Sequence, residues 1–97
     1  MYEIQTTEVF DNWLESIRDG ITQKVILKRL RTMSLGTLGD VQSISDGLFE
    51  ARIHYGPGYR LYFVHQGSRI IIMLCGGSKS TQKSDIAKAR EMAKELL

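Results

Sequence analysis

The chain contains one cysteine, one proline and one tryptophan among its 97 residues. A single thiol, Cys75, excludes an intrachain disulfide, so burial must hold the fold together. Two separated histidines, His54 and His65, offer no zinc-ligand spacing with it, and neither a metal enzyme nor any cofactor is expected. Scarce proline beside 42% hydrophobic residues excludes a disordered or low-complexity chain. No apolar run approaches the roughly 20 residues that span a bilayer, and residues 1–8 lack a basic segment followed by an apolar one. The expectation is a complete cytoplasmic protein with no membrane contact. A dominant charge is missing too. Thirteen Lys and Arg against eleven Asp and Glu leave a net charge of +2, so an anion site must arise from local clustering.

What remains is an ordinary globular composition long enough for one domain, residues 1–97, around one core. Residues 1–5 read as a short strand. Phe10, Trp13, Leu14 and Ile17 then recur at helical spacing up to Asp19-Gly20. A second helix is expected over 21–34, with Val25, Ile26, Leu30 and Met33 inward and Lys24, Lys28, Arg29 and Arg31 outward. Beyond 36–40, β-branched and aromatic residues dominate in short runs, giving strands near 41–45, 48–55, 59–66 and 69–75. The dividers are Asp46-Gly47, Gly56-Pro57-Gly58 and Gly67-Ser68, short enough to imply an antiparallel meander. A last helix over 84–97 carries Ile86, Ala89, Ala93 and Leu96 on one face. The fold class is therefore α+β in the order βααββββα, a helical hairpin packed on a mainly antiparallel sheet and followed by a C-terminal helix.

If Pro57 centres the turn, Ile53 faces Leu61 and Arg52 faces Tyr62, and partners across a pair share a face. One face collects Phe49, Ala51, Ile53, Leu61 and Phe63, joined by Ile70, Ile72 and Leu74 if Gly67-Ser68 is a two-residue turn. That face is the core. The other collects Glu50, Arg52, His54, Arg60, Tyr62 and Met73, with Lys79 just past the last strand. Converging cations suit a phosphodiester that gains negative charge in a transition state. Plainer readings stand beside this one: Arg52 pairing with Glu50, Lys79 as a solvated charge at a helix start, His65 and Trp13 as structural residues. Arg60, next to a constrained Gly-Pro-Gly turn, is the candidate that the plain reading explains least well. Val64, Ile71 and Met73, expected on the face away from the hairpin, would give a partner an apolar surface to cover.

The segments 46–53 (DGLFEARI), 56–63 (GPGYRLYF) and 74–82 (LCGGSKSTQ), followed by Asp85-Ile86-Ala87-Lys88-Ala89, together resemble the bacterial RelE/ParE superfamily of toxins, and within it the small HigB-like addiction-module killer proteins. The resemblance covers essentially the whole chain. It implies a RelE-like fold and the toxin of a type II toxin–antitoxin module, a ribosome-dependent, metal-independent endoribonuclease. Such an enzyme enters the ribosomal A site and cuts translated mRNA by attack of a ribose 2′-hydroxyl on the adjacent phosphate. A cognate antitoxin, a small HigA-like helix-turn-helix protein, would hold it inactive. Residue by residue, Arg60 matches the transition-state arginine, Lys79 the cation after the last strand and Arg52 the arginine of the preceding strand. Tyr62, Gln82, Lys83, Lys28 and Arg31 are the expected RNA contacts, and Met73, Ile71 and Val64 the antitoxin contacts.

Several members of the superfamily use a histidine or tyrosine near the C-terminus, and this chain has neither there. The base must come from elsewhere, and His54 or Glu50 is the candidate, because histidine titrates near neutral pH. A non-nucleolytic ParE-like inhibitor of DNA gyrase, or an inactive antitoxin-binding partner, would share the fold.

Overall fold

The computed structural model describes residues 1–96. Its elements are β1 (Glu3–Thr6), α1 (Glu8–Ser16), α2 (Gly20–Ser34), β2 (Val41–Ser45), β3 (Leu48–Ile53), β4 (Tyr59–Gln66), β5 (Ile70–Ser78), a 3-10 turn (Lys79–Thr81) and α3 (Gln82–Leu96). This is the expected order; position 97 of the expected last helix lies outside the described residues. The strands form one sheet in the order β1-β5-β4-β3-β2, antiparallel except where β1 runs parallel to β5.

Short polar side chains set the helix starts. The Thr7 hydroxyl accepts the Phe10 N–H at 3.0 Å and donates to the Leu74 carbonyl at 2.6 Å, so one residue both caps α1 and ties it to β5. Asp19 caps α2 by accepting the Ile21 N–H. The hairpin of α1 and α2 lies on one face of the sheet, where Phe10, Ile26 and Met33 pack on Ala51, Ile53, Leu61, Phe63, Ile71 and Met73. His65 is structural, as expected, with its ring against Phe49, Phe63 and Tyr2.

The opposite face is covered as well. Ala89 and Ala93 of α3, with Ile86 and Met92, pack on Leu48, Tyr62, Val64, Ile72, Leu74 and Cys75. Leu96, expected on that stripe, is exposed.

Two turns depart from the expected pairing, with different consequences. Ile53 pairs with Tyr59 and Arg52 with Arg60, a shift of two residues, because β3 ends at Ile53 and a five-residue loop replaces the three-residue turn. An even shift changes partners and preserves faces. The β4–β5 turn takes three residues, 67–69, instead of two, and Val64 pairs with Ile72. That odd shift turns over the first half of β5, sending Ile71 and Met73 to the hairpin and Ile72 and Leu74 to α3. A bulge then inserts Leu74 between the pairs Phe63–Met73 and Tyr62–Cys75. Ile71 and Met73 are buried against the hairpin and Val64 beneath α3, at 0%, 0% and 2% exposure, and the apolar antitoxin face expected of them does not exist at the surface.

Candidate functional site

Arg52 and Arg60 are direct partners across β3 and β4, so their side chains leave the same face, the one that carries α3. α3 begins only at Gln82, and this end of the sheet holds ionic clusters instead of apolar packing. Each arginine is gripped by a different carboxylate.

The inner cluster is buried. Arg60 Nη1 donates to Glu50 Oε1 at 2.8 Å, and Gln82 Nε2 donates to Glu50 Oε2 at 3.0 Å. The side chains of Arg60 and Glu50 are 13% and 4% exposed. The plainer reading, Glu50 paired with Arg52, does not hold, because the two-residue shift sets Arg60 diagonally across from Glu50. Both carboxylate oxygens are occupied, which makes Glu50 an anchor for Arg60 and removes it from the candidate bases. Arg60 keeps Nε and Nη2 without a protein partner among the described residues, so a fixed guanidinium presents unused donors.

The outer cluster is open to solvent. Asp40 Oδ1 accepts from Arg52 Nη2 at 2.8 Å and Nε at 3.2 Å, while Asp40 Oδ2 lies 2.7 Å from His54 Nε2. The His54 side chain is 75% exposed. The His54 bond, followed by the Arg52 bonds, holds the Asp40 carboxyl below the usual carboxylate range. Arg29, expected outward in solvent, turns in instead: its Nε, Nη1 and Nη2 donate to the carbonyls of Leu38, Arg52 and Asp40 at 3.0, 2.7 and 2.9 Å. Gly39, at φ 76°, makes room for it, since a Cβ there would stand 2.9 Å from the Arg29 guanidinium carbon.

Lys79 opens the 3-10 turn, and its backbone N–H donates to the Gly58 carbonyl at 2.9 Å. This bond roots the lysine beside the Gly-Pro-Gly turn, two residues from Arg60. The glycine pair before it answers to packing: a Cβ on Gly76 would collide with the Trp13 ring, and one on Gly77, the partner of Arg60, with the Asp85 carboxylate. Asp85 accepts from the Thr81 hydroxyl at 2.5 Å and so fastens the entry to α3.

The remaining expected RNA contacts divide. Lys83 is exposed beside a shallow depression with Ser80, Thr81 and Ser84. Lys28 lines a groove of about 310 Å³ with Val25, Asp40, Arg52, Ile53 and His54; Arg31 is exposed on α2 and does not line it. Gln82 is half-buried and spends its amide on Glu50. Tyr62 is fully buried under α3 and cannot stack on a base. Its hydroxyl has no protein partner among the described residues, and burial, with Glu50 next, pushes its pKa above the ordinary tyrosine value.

Sequence reasoning missed Asp40. It stands directly after Gly39, where an acidic residue reads as turn punctuation, and only the β2–β3 pairing carries it to Arg52. The arrangement as a whole presents three cationic side chains with free donors, Arg60, Arg52 and Lys79, beside an accessible imidazole. Such a set can bind a phosphodiester, stabilise added charge on it and move a proton.

Comparison with known proteins relates the chain to a protein family and to a bacterial relative. The family described as "Phage derived protein Gp49-like (DUF891)" matches residues 10–96. A Haemophilus influenzae protein, described only as an uncharacterized protein, is 43% identical over 94 residues, covering 97% of this chain and 95% of its own length.

Proposed function

The chain belongs to the Gp49-like phage-derived family, a family of RelE-like toxin–antitoxin toxins, and from that premise we propose that it is a ribosome-dependent mRNA endoribonuclease of the HigB-like kind. Membership implies a cognate antitoxin as partner; that this antitoxin is a HigA-like helix-turn-helix protein, and that both act in the cytoplasm, belong to the proposal. The reaction is metal-independent attack of a ribose 2′-hydroxyl on the adjacent phosphate.

One observation carries the reading: Arg60 is locked by a buried Glu50 while two of its nitrogens stay free, directly across from Arg52. A cation held in place before the substrate arrives stabilises developing charge without reorganising. Lys79 supplies a second charge from the other side of the Gly-Pro-Gly turn. His54 is the base, since Glu50 is buried and doubly bonded.

The test is cleavage of an mRNA programmed in the A site of purified ribosomes, with ribosome-free RNA as the control. Wild type is expected to cut only on ribosomes, and Lys79→Ala and Arg60→Lys to lose at least about 10²-fold in rate, the scale of one preorganised charge-stabilising donor. Growth inhibition accompanied by DNA damage and intact transcripts would overturn the nuclease reading in favour of a gyrase inhibitor. Full activity in both variants would overturn the site.

A further inference from the structure

The bond that holds His54 also determines which of its nitrogens can act. An ionised carboxylate only accepts hydrogen bonds, and Asp40 already takes two donors from Arg52 on Oδ1. The proton in the bond between His54 and Asp40 Oδ2 therefore sits on Nε2, and the neutral ring keeps its lone pair on Nδ1. Nδ1 has no hydrogen-bond partner among the described residues. His54 lines the groove of about 310 Å³ between α2 and the end of β3, whose apolar lining is Val25 and Ile53. Of the two cations contributed by α2, Arg29 is spent on three carbonyls, whereas Lys28 is exposed.

We propose that Asp40 is a positioning residue that clamps His54 in the Nε2–H tautomer, and that the groove beside it receives the nucleoside whose 2′-hydroxyl attacks. This inference rests on the nuclease reading above. The base or sugar lies on Val25 and Ile53, and Lys28 meets the phosphate on its 5′ side. His54 Nδ1 takes the 2′-hydroxyl proton as the 2′-oxygen forms its bond to phosphorus. Arg60 and Arg52 carry the added charge. The P–O5′ bond then breaks with its electron pair on the 5′-oxygen, which takes a proton from a water molecule, and the imidazolium neutralises the resulting hydroxide. The products are a 2′,3′-cyclic phosphate and a 5′-hydroxyl.

Asp40→Asn tests the clamp because it keeps the shape of the side chain and changes one acceptor into a donor. The two Arg52 donors claim the amide oxygen, so the amide NH₂ faces His54 and favours the opposite tautomer, with the proton on Nδ1. Two readouts on the full-length protein separate this inference from the reading beneath it. The first is the ¹⁵N shifts of the imidazole nitrogens, assigned with His54→Gln; wild type should show the Nε2–H form and Asp40→Asn the Nδ1–H form. The second is single-turnover cleavage on ribosomes, in which Asp40→Asn should lose about tenfold or more in rate with the half-saturating ribosome concentration unchanged, and Asp40→Glu should recover part of the loss. Circular dichroism verifies that each variant is folded. Wild-type cleavage together with an equally fast Asp40→Asn enzyme, or with an unchanged tautomer, would overturn the positioning role and leave the nuclease standing. A wild type that cuts nothing would overturn both.

Discussion

The two arginines that face each other across β3 and β4 have the same chemistry and opposite surroundings. Arg60 and its carboxylate are almost wholly buried, and a third side chain, Gln82, completes their bonds. Arg52 and its carboxylate stand at 33% and 38% side-chain exposure, and the third member, His54, is more exposed still. Burial makes an ion pair costly to break and fixed in direction, whereas exposure makes it cheap and leaves its members free to meet a ligand. The molecule uses both at one end of one sheet. The inner pair holds a charge still, and the outer pair holds an imidazole where solvent and substrate reach it.

The largest effect that would sharpen this contrast is on folding. Arg60→Ala should destabilise the protein by about 3–5 kcal/mol, because it leaves Glu50 buried and unpaired. Denaturant unfolding measures it, and pairing Arg60→Ala with Glu50→Gln should recover much of the loss. A stable Arg60→Ala single variant would show that Glu50 does not depend on its partner for burial. For the same reason Arg60→Lys is the better probe of activity.

Arg52→Ala should leave the denaturant midpoint nearly unchanged while slowing cleavage, since its partner is solvated and screened. A loss of stability as large as that of Arg60→Ala would erase the distinction between the clusters. The smallest effect belongs to Tyr62→Phe, which removes a buried hydroxyl lacking a protein partner beside the inner cluster. Stability should change by less than about 1 kcal/mol and cleavage should not change. A sizeable loss of cleavage would return Tyr62 to the site that its burial removes it from.

Much of the architecture is legible in the residues. Helical spacing in 10–17 and 21–34, alternation in 48–53 and 59–63 and the Gly-containing turns are local signals, and local signals place elements. The faces of β3 and β4 survive a wrong partner assignment because the shift is even. β5 is not legible. A third residue in the 67–69 turn, followed by a bulge at Leu74, exchanges the environments of Ile70–Leu74, and five consecutive large apolar residues carry no alternation that would reveal it. The failure of the antitoxin face at Ile71 and Met73 follows from that slip, and Val64 fails because α3 covers its face.

The candidate site divides in the same way. Arg60, Arg52, Lys79 and His54 stand out in sequence because charged or titrating side chains interrupt strand-like or glycine-rich runs. Their pairings do not. Asp40, Glu50 and Gln82 are separated from the residues they hold by 12, 10 and 32 positions, and no spacing rule joins them.

By itself, then, the sequence determined which segments are helix and strand, which residues bear charge at the end of the sheet, and through its glycines where the chain turns. Tertiary structure decided which carboxylate grips which arginine, which cluster is buried and which histidine nitrogen is free. Periodicity and turn chemistry act over a few residues, whereas hydrogen-bond partners and solvent exposure depend on strand register and on which helix lies above.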